Sequence, residues 1–356
     1  MDANMSENSF LKRRWRLLLN IVTVLALAVL VLALRKDIVS TFENLGHVHA
    51  SALLLLVPIE AWNYDAQTRL YRELFRMLGN KLSYEFLYKA SLELNFINNV
   101  FPSGGVSTVS YFGIRMRSSE ITAGKATVVQ LLKLVLVYVS FEILLLFGVL
   151  CMALFGHVNG GIILVASSVT TLMIVGTICF VMIIGSHRRI NAAYEHITGF
   201  INRVIHFLRP KHPETIKLEA GRELVEELHN NYRLIQENYR ELKWALLWAG
   251  LANLTEVLAI YAVFVAFGHW INIGAVILAY AVANFAGTIS VLPGGIGVYE
   301  ALMTGVLAAS GVPAGLTLPV VVMYRVINTI IQLPPGYYFY HRTLHASPKN
   351  APHARA

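Results

Sequence analysis

The feature that most constrains this chain is a succession of apolar runs, each about as long as a bilayer is thick. A helix needs roughly 20 apolar residues to cross the hydrocarbon core. Six stretches approach that length: Leu17 to Leu34, then about Ala50 to Ala66, Ala126 to Phe155, Gly161 to Gly185, Trp244 to Phe267 and Leu316 to Tyr340. Only 14% of the 356 residues are charged, against about 25% in ordinary soluble domains. Such a chain folds as one polytopic membrane domain rather than as two or three soluble ones. Its only cysteines, Cys151 and Cys179, lie inside apolar runs, which excludes a secreted disulfide scaffold. Lys12-Arg13-Arg14-Trp15-Arg16 precedes the first run, as in a signal peptide. That run is too long for a signal core and ends in Arg35-Lys36-Asp37 without a small-residue cleavage pattern, so it reads as a retained anchor.

Two further apolar stretches are broken. One runs Tyr84 to Phe112 around Phe101-Pro102-Ser103-Gly104-Gly105, the other Ile273 to Ala309 around Leu292-Pro293-Gly294-Gly295-Ile296-Gly297. Each reads as two short spans or as one re-entrant hairpin, and irregular backbone at membrane depth needs protein or a wet cavity around it. The distribution of Lys and Arg decides between these, because cationic loops stay cytoplasmic. With a cytoplasmic N-terminus and two re-entrant hairpins, residues 1–16, 67–125, 186–243 and 341–356 face the cytoplasm. They carry four, eight, ten and three Lys/Arg, which is 25 of the 29 in the chain. A full crossing at the first break would put Arg115, Arg117 and Lys125 outside and invert the basic central loop. The expected fold is therefore all-α, with about six full spans plus two re-entrant helical hairpins. It comprises a cytoplasmic N-terminus (1–16), one transmembrane domain (17–340) and a basic cytoplasmic tail (341–356).

Superposing Pro102 on Pro293 exposes an internal repeat. Asn95-Phe96 precedes the first proline and Asn284-Phe285 the second; Lys133 follows Pro102 by 31 residues and Arg325 follows Pro293 by 32. Asp65 and Glu256 each precede their proline by 37 residues. In the topology above, the halves at about 50–155 and 244–340 have opposite orientations. Inverted repeats with broken helices are a recurring transporter plan.

Lys133 and Arg325 lie within apolar spans, where a charge costs at least ~2.5 kcal/mol and needs a partner or a wet cavity. Glu60, Glu142, Glu256 and Glu300 are the intramembrane acids, with Glu93 in the first hairpin. Two readings follow. The cations form structural ion pairs with these acids, or they hold a phosphate, which both guanidinium and ammonium groups bind well. The expected substrate-binding set is Lys133, Arg325, Glu300 and Glu256, with the hairpin residues Asn98, Asn99, Pro102, Ser103, Gly104, Gly105, Pro293, Gly294, Gly295 and Gly297. Glycine-rich tips free backbone N–H groups for an anion, and bulky residues are expected to be tolerated badly there.

The loop 186–243 contains an amphipathic stretch, Glu214 to Leu242, that either lies on the membrane surface or is a solvated connector. His341 and His345 stand four apart, but a basic tail is the simpler reading, and no metal or cofactor is expected. No histidine lies deep in a span to activate Ser103, so catalysis is not expected.

The turn Leu292 to Glu300, followed by Arg325 in a late span, resembles the lysylphosphatidylglycerol synthase transmembrane-region family, the flippase-like membrane proteins. Asn98-Asn99-Val100-Phe101-Pro102-Ser103-Gly104-Gly105 carries the earlier half of the resemblance, which extends from about Leu17 to Tyr340. In bifunctional members this region is associated with flipping an aminoacylated lipid made by a separate soluble domain, for which the present sequence has no counterpart. The resemblance thus implies movement of a phosphate-bearing phospho- or glycolipid across the bacterial cytoplasmic (inner) membrane. The partners implied are membrane lipids and a lipid-synthesis enzyme, not nucleic acid. The competing expectations are a membrane enzyme acting on a lipid head group and a non-transporting partner of such an enzyme.

Overall fold

Backbone amides inside a bilayer have to be satisfied within the segment that carries them. The computed structural model meets that demand with helices alone: no strand occurs among the described residues. These are residues 48–101, 104–155, 160–184, 239–289 and 295–345, with isolated positions between 32 and 46 and at 188, 189 and 192. The expected first span, most of the loop 186–243, the tail beyond 345, and Pro102, Ser103, Pro293 and Gly294 lie outside them.

After a single turn at Ala50–Leu53, helix α1 runs Leu56–Met77. The first broken stretch becomes α2, Tyr84–Val100, and α3, Gly104–Met116; α4 follows over Ala123–Phe155 and α5 over Gly160–Ile184. The second half contains α6, Leu242–Ala266, then the hairpin α7, Ile273–Ile289, and α8, Val298–Ala309, and finally α9, Ala314–His345. Among the described residues, three helices are long and apolar enough to cross a membrane: Ala123–Leu154, Leu242–Ala266 and Gly315–His345. The stretch expected at Ala50 to Ala66 is displaced. Its helix continues through Arg69, Arg72 and Arg76, supported by the local pairs Asp65–Arg69 and Glu73–Arg76. Hydropathy cannot see such an extension.

The halves match helix by helix. α1 and α6 have 22 and 25 residues, and α2 and α7 have 17 each. α3 and α8 have 13 and 12, and α4 and α9 have 33 and 32. Even the helix ends repeat. α1 closes with Gly79 at φ 79° and Asn80 N–H donating to Phe75 O at 2.9 Å; α6 closes with Gly268 at φ 77° and His269 N–H donating to Phe264 O at 3.0 Å. The turns after α3 and α8 both need a left-handed residue, supplied by Glu120 at φ 60° and by Gly311 at φ 86°.

α1 and α6, the equivalent first helices, pack antiparallel along their length. His49 N–H donates to Ala266 O at one end, and Asn63 Nδ2 to Ala252 O midway, at 2.8 and 2.9 Å. At the other end Arg69 stacks 4.8 Å from the Trp248 ring centre and Arg76 lies 3.5 Å from Glu241. Each hairpin's first helix then packs on the last helix of the opposite half. Phe96 of α2 lies 5.7 and 5.3 Å from the rings of Tyr337 and Tyr340 on α9. Tyr280 and Phe285 of α7 lie 5.1 and 6.1 Å from Phe141 and Tyr138 on α4. Small residues permit the close approaches. A Cβ on Gly274 would collide with the carbonyl oxygen of Gly148, and one on Gly336 would lie 2.7 Å from that of Leu92. On α4 and α5 large apolar side chains such as Leu146, Leu150, Leu154 and Leu172 face outward, exposed by 53 to 66%, as a lipid-facing surface should.

Candidate functional site

Where α1, α6 and α9 meet, the sequence places polar residues at helical spacing on otherwise buried faces. α1 contributes Glu60, Asn63, Tyr64, Gln67 and Tyr71; α9 contributes Tyr324, Asn328 and Gln332 at i, i+4 and i+8. On one side Gln332 Nε2 donates to Glu60 Oε2 at 2.9 Å and to Asn328 Oδ1 at 3.0 Å. Asn328 Nδ2 donates to the Tyr324 hydroxyl at 3.3 Å, and that hydroxyl donates to Glu256 Oε2 at 2.6 Å. Asn95 of the first hairpin joins by donating to Gln332 Oε1 at 2.8 Å and to the Tyr64 hydroxyl at 2.6 Å.

Lys133 belongs to a second arm. Its Nζ donates to Gln67 Oε1 at 3.1 Å and to the Tyr71 hydroxyl at 3.0 Å, and lies 4.6 Å from the Tyr71 ring centre. Gln67 in turn donates to Asn63 Oδ1 at 2.6 Å, and Asn63 to Thr255 Oγ1 at 2.9 Å. Among the described residues, no carboxylate lies within ion-pair distance of Lys133. Its ammonium is solvated by neutral oxygens and an aromatic face, and it is half-buried.

Arg325 is placed differently. Its Nη1 lies 3.0 Å from Glu300 Oε1, and its guanidinium sits 4.9 Å from the Tyr299 ring centre. Glu300 Oε2 accepts the Gly297 N–H at 2.6 Å and so caps the start of α8. One acid thus serves both the helix start and the neighbouring cation. Lys133 and Arg325 hold matched places in sequence but keep separate company, the first on α1 and the second on α8.

Of the other expected residues, Asn98 is exposed, and Asn99 Nδ2 bonds back to Asn95 O and Oδ1 at 3.0 and 2.9 Å. Gly295 and Gly297 have φ of 66° and 86°, the left-handed backbone expected of a turn glycine. Gly104 and Gly105 depart from that expectation. Both lie in the first turn of α3, and a Cβ on Gly105 would meet nothing within 4 Å. The Asp65–Glu256 match also fails to carry over into equivalent surroundings. Asp65 bonds Arg69 and Tyr84 at the start of the first hairpin, whereas Glu256 is in the central network. Glu142 accepts a long bond of 3.4 Å from Thr177.

Sequence reasoning missed a further ion pair. Arg115, counted only as a loop cation, donates through Nε to Glu93 Oε2 at 2.8 Å, with side chains 8% and 1% exposed. Tyr111 donates to the same oxygen at 2.8 Å and Thr343 to Glu93 Oε1 at 2.7 Å, so the pair ties both arms of the first hairpin to the end of α9. The Tyr324-Asn328-Gln332 ladder was also missed, although its spacing of four is visible in sequence.

Comparison with known proteins finds membrane-protein relatives. Over 97 residues the chain is 35% identical to a UPF0104 membrane protein of Methanothermobacter thermautotrophicus, a match covering 27% of this chain and 29% of the relative. Another match to a UPF0104 membrane protein of that organism has 26% identity over 136 residues, covering 38% and 40%. The aligned regions thus span less than half of these relatives' length. The family profile described as the lysylphosphatidylglycerol synthase TM region matches residues 17–336, nearly the whole chain. With two matched four-helix halves around a polar centre, the protein is a helical membrane protein that belongs to the lysylphosphatidylglycerol synthase transmembrane-region family.

Proposed function

We propose that this protein moves a lipid with an anionic, phosphate-bearing head group between the leaflets of the cytoplasmic membrane. Lys133 takes the phosphate, and the two hairpins open to opposite sides. The observation that carries the reading is Lys133 itself, a cation in the interior of an apolar helix whose partners are two neutral oxygens and a ring. Holding such a charge is costly unless an anion joins it, and a point-charge ammonium suits a phosphate. The antiparallel pairing of equivalent α1 and α6 supports an inverted repeat, with six crossings, two re-entrant hairpins and both termini cytoplasmic. Arg325, already neutralised by Glu300, secures α8 against α9 instead of taking phosphate. The role is transport, not catalysis, and its partners are lipids and the enzyme that makes the transported one.

The test uses purified protein in liposomes carrying labelled anionic and zwitterionic lipids, scored for arrival in the opposite leaflet. Lys133→Ala should lower movement of the anionic lipid at least ~10-fold, equivalent to about 1.4 kcal/mol, with insertion and melting unchanged. Lys133→Arg should retain part of it. Wild-type movement by the alanine variant would refute the assignment.

A further inference from the structure

Glu60 is the most deeply buried acid of the central network, 2% exposed. Its Oε2 accepts the bond from Gln332, but its Oε1 has no hydrogen-bond partner. A buried carboxylate with a bare oxygen is expensive to keep, and this one has a second acid within electrostatic reach, Glu256. The two come from equivalent helices of the two halves, α1 and α6. Side chains of α9 join them continuously: Gln332, Asn328 and Tyr324. The groups that bond the carboxylates, Gln332 and Tyr324, are neutral. Other titratable groups facing Glu60 are Tyr64 on its own helix, Tyr280 on α7 and Tyr324 on α9. Lys133 on α4 is engaged two turns further along α1, and Arg325 of α9 is engaged by Glu300.

We infer that Glu60 and Glu256 form a coupling site that takes up one monovalent cation, a proton or Na⁺, and that its occupancy drives the rocking of one half against the other. The uncovered Glu60 Oε1 is the atom that points to the ligand. One added positive charge offsets the repulsion between the acids, so the α1–α6 contact is tightest when the site is loaded and loosens when it is not. α1 also carries Gln67 and Tyr71, the partners of Lys133, so one helix senses both cation and head group. The coupling half of this inference rests on the transport reading above; the binding half does not.

The experiment has two parts. In detergent, without transported lipid, the wild-type protein should melt at higher temperature on acidification if the cation is a proton, or on addition of Na⁺ if it is sodium. Glu60→Gln and Glu256→Gln should lose most of that response. In liposomes, an imposed pH gradient or an imposed Na⁺ gradient, applied separately, should bias wild-type lipid movement. For a proton the bias reaches about tenfold at roughly one pH unit. Whatever lipid exchange the Gln variants retain should lack the bias. A melting response unchanged in both variants overturns the cation site. A normal melting response with no bias from either gradient, while lipid still moves, overturns the coupling. Wild-type protein that shows the melting response but moves no lipid overturns the transport reading and, with it, the coupling, while the cation site stands.

Discussion

Removal of Arg115 should cost the protein more than removal of any exposed charge. Glu93 is 1% exposed, and among the described residues Arg115 Nε is its one charged contact; what remains after truncation is two hydroxyl donors, Tyr111 and Thr343. Breaking a buried pair from one side leaves an uncompensated charge and costs about 3–5 kcal/mol. Arg115 also covers the Phe86 ring at 4.3 Å, so its stem is part of the packing. At roughly 2 °C per kcal/mol for a large domain, Arg115→Ala should lower the apparent melting temperature by about 6–10 °C. The measurement is thermal unfolding in mild detergent at a fixed heating rate. The double variant Arg115→Met with Glu93→Gln should recover at least half of the loss, because no buried charge is then left unpaired. A single variant within about 1 °C of wild type would refute the reasoning, since exposed pairs are worth only ~0–1 kcal/mol. Failure of the double variant to recover would refute its electrostatic part and leave packing as the cause.

Two further outcomes are expected. Glu120 holds a left-handed conformation that Gly311 supplies in the other half, so Glu120→Gly should raise stability by about 1 kcal/mol in the same melting assay, with a decrease counting against the strain argument. In intact cells, in a background lacking Cys151 and Cys179, a single cysteine replacing Pro313 should react with an impermeant thiol reagent and one replacing Arg117 should not; the opposite labelling would invert the proposed topology.

Hydropathy and Pro/Gly punctuation made the helices legible. The long runs expected at Ala126 to Phe155 and Gly161 to Gly185 appear as Ala123–Phe155 and Gly160–Ile184, and both broken stretches became two helices each. α1 was misplaced because from its middle onward it carries Asp65, Arg69, Arg72, Glu73 and Arg76, and its local ion pairs are invisible to a hydropathy window. The site was legible only in its inventory. Lys133, Arg325, Glu300 and Glu256 stood out in the sequence as charges within apolar runs, but pairing is a property of distance in space. Arg325 meets Glu300 across a turn, while Lys133 meets Gln67, which is 66 residues away and uncharged. Arg115 looked like a loop cation because its partner Glu93 stands 22 residues earlier, on the other arm of the hairpin.

The exchange of hairpins between halves has a consequence in time. The first hairpin is made early, yet its docking surface is on the last helix: Asn95 waits for Gln332, 237 residues later, and Glu93 waits for Thr343, 250 residues later. At roughly 5–20 residues per second of synthesis, that is a delay of about 10–50 s. Throughout it, Asn95 and Glu93 of α2 lack their partners from α9. A ribosome that stalls anywhere before α9 leaves Glu93 paired with Arg115 but its Oε1, and the Asn95 amide that bonds Gln332, still waiting, so an incomplete chain displays polar atoms that a finished one has covered.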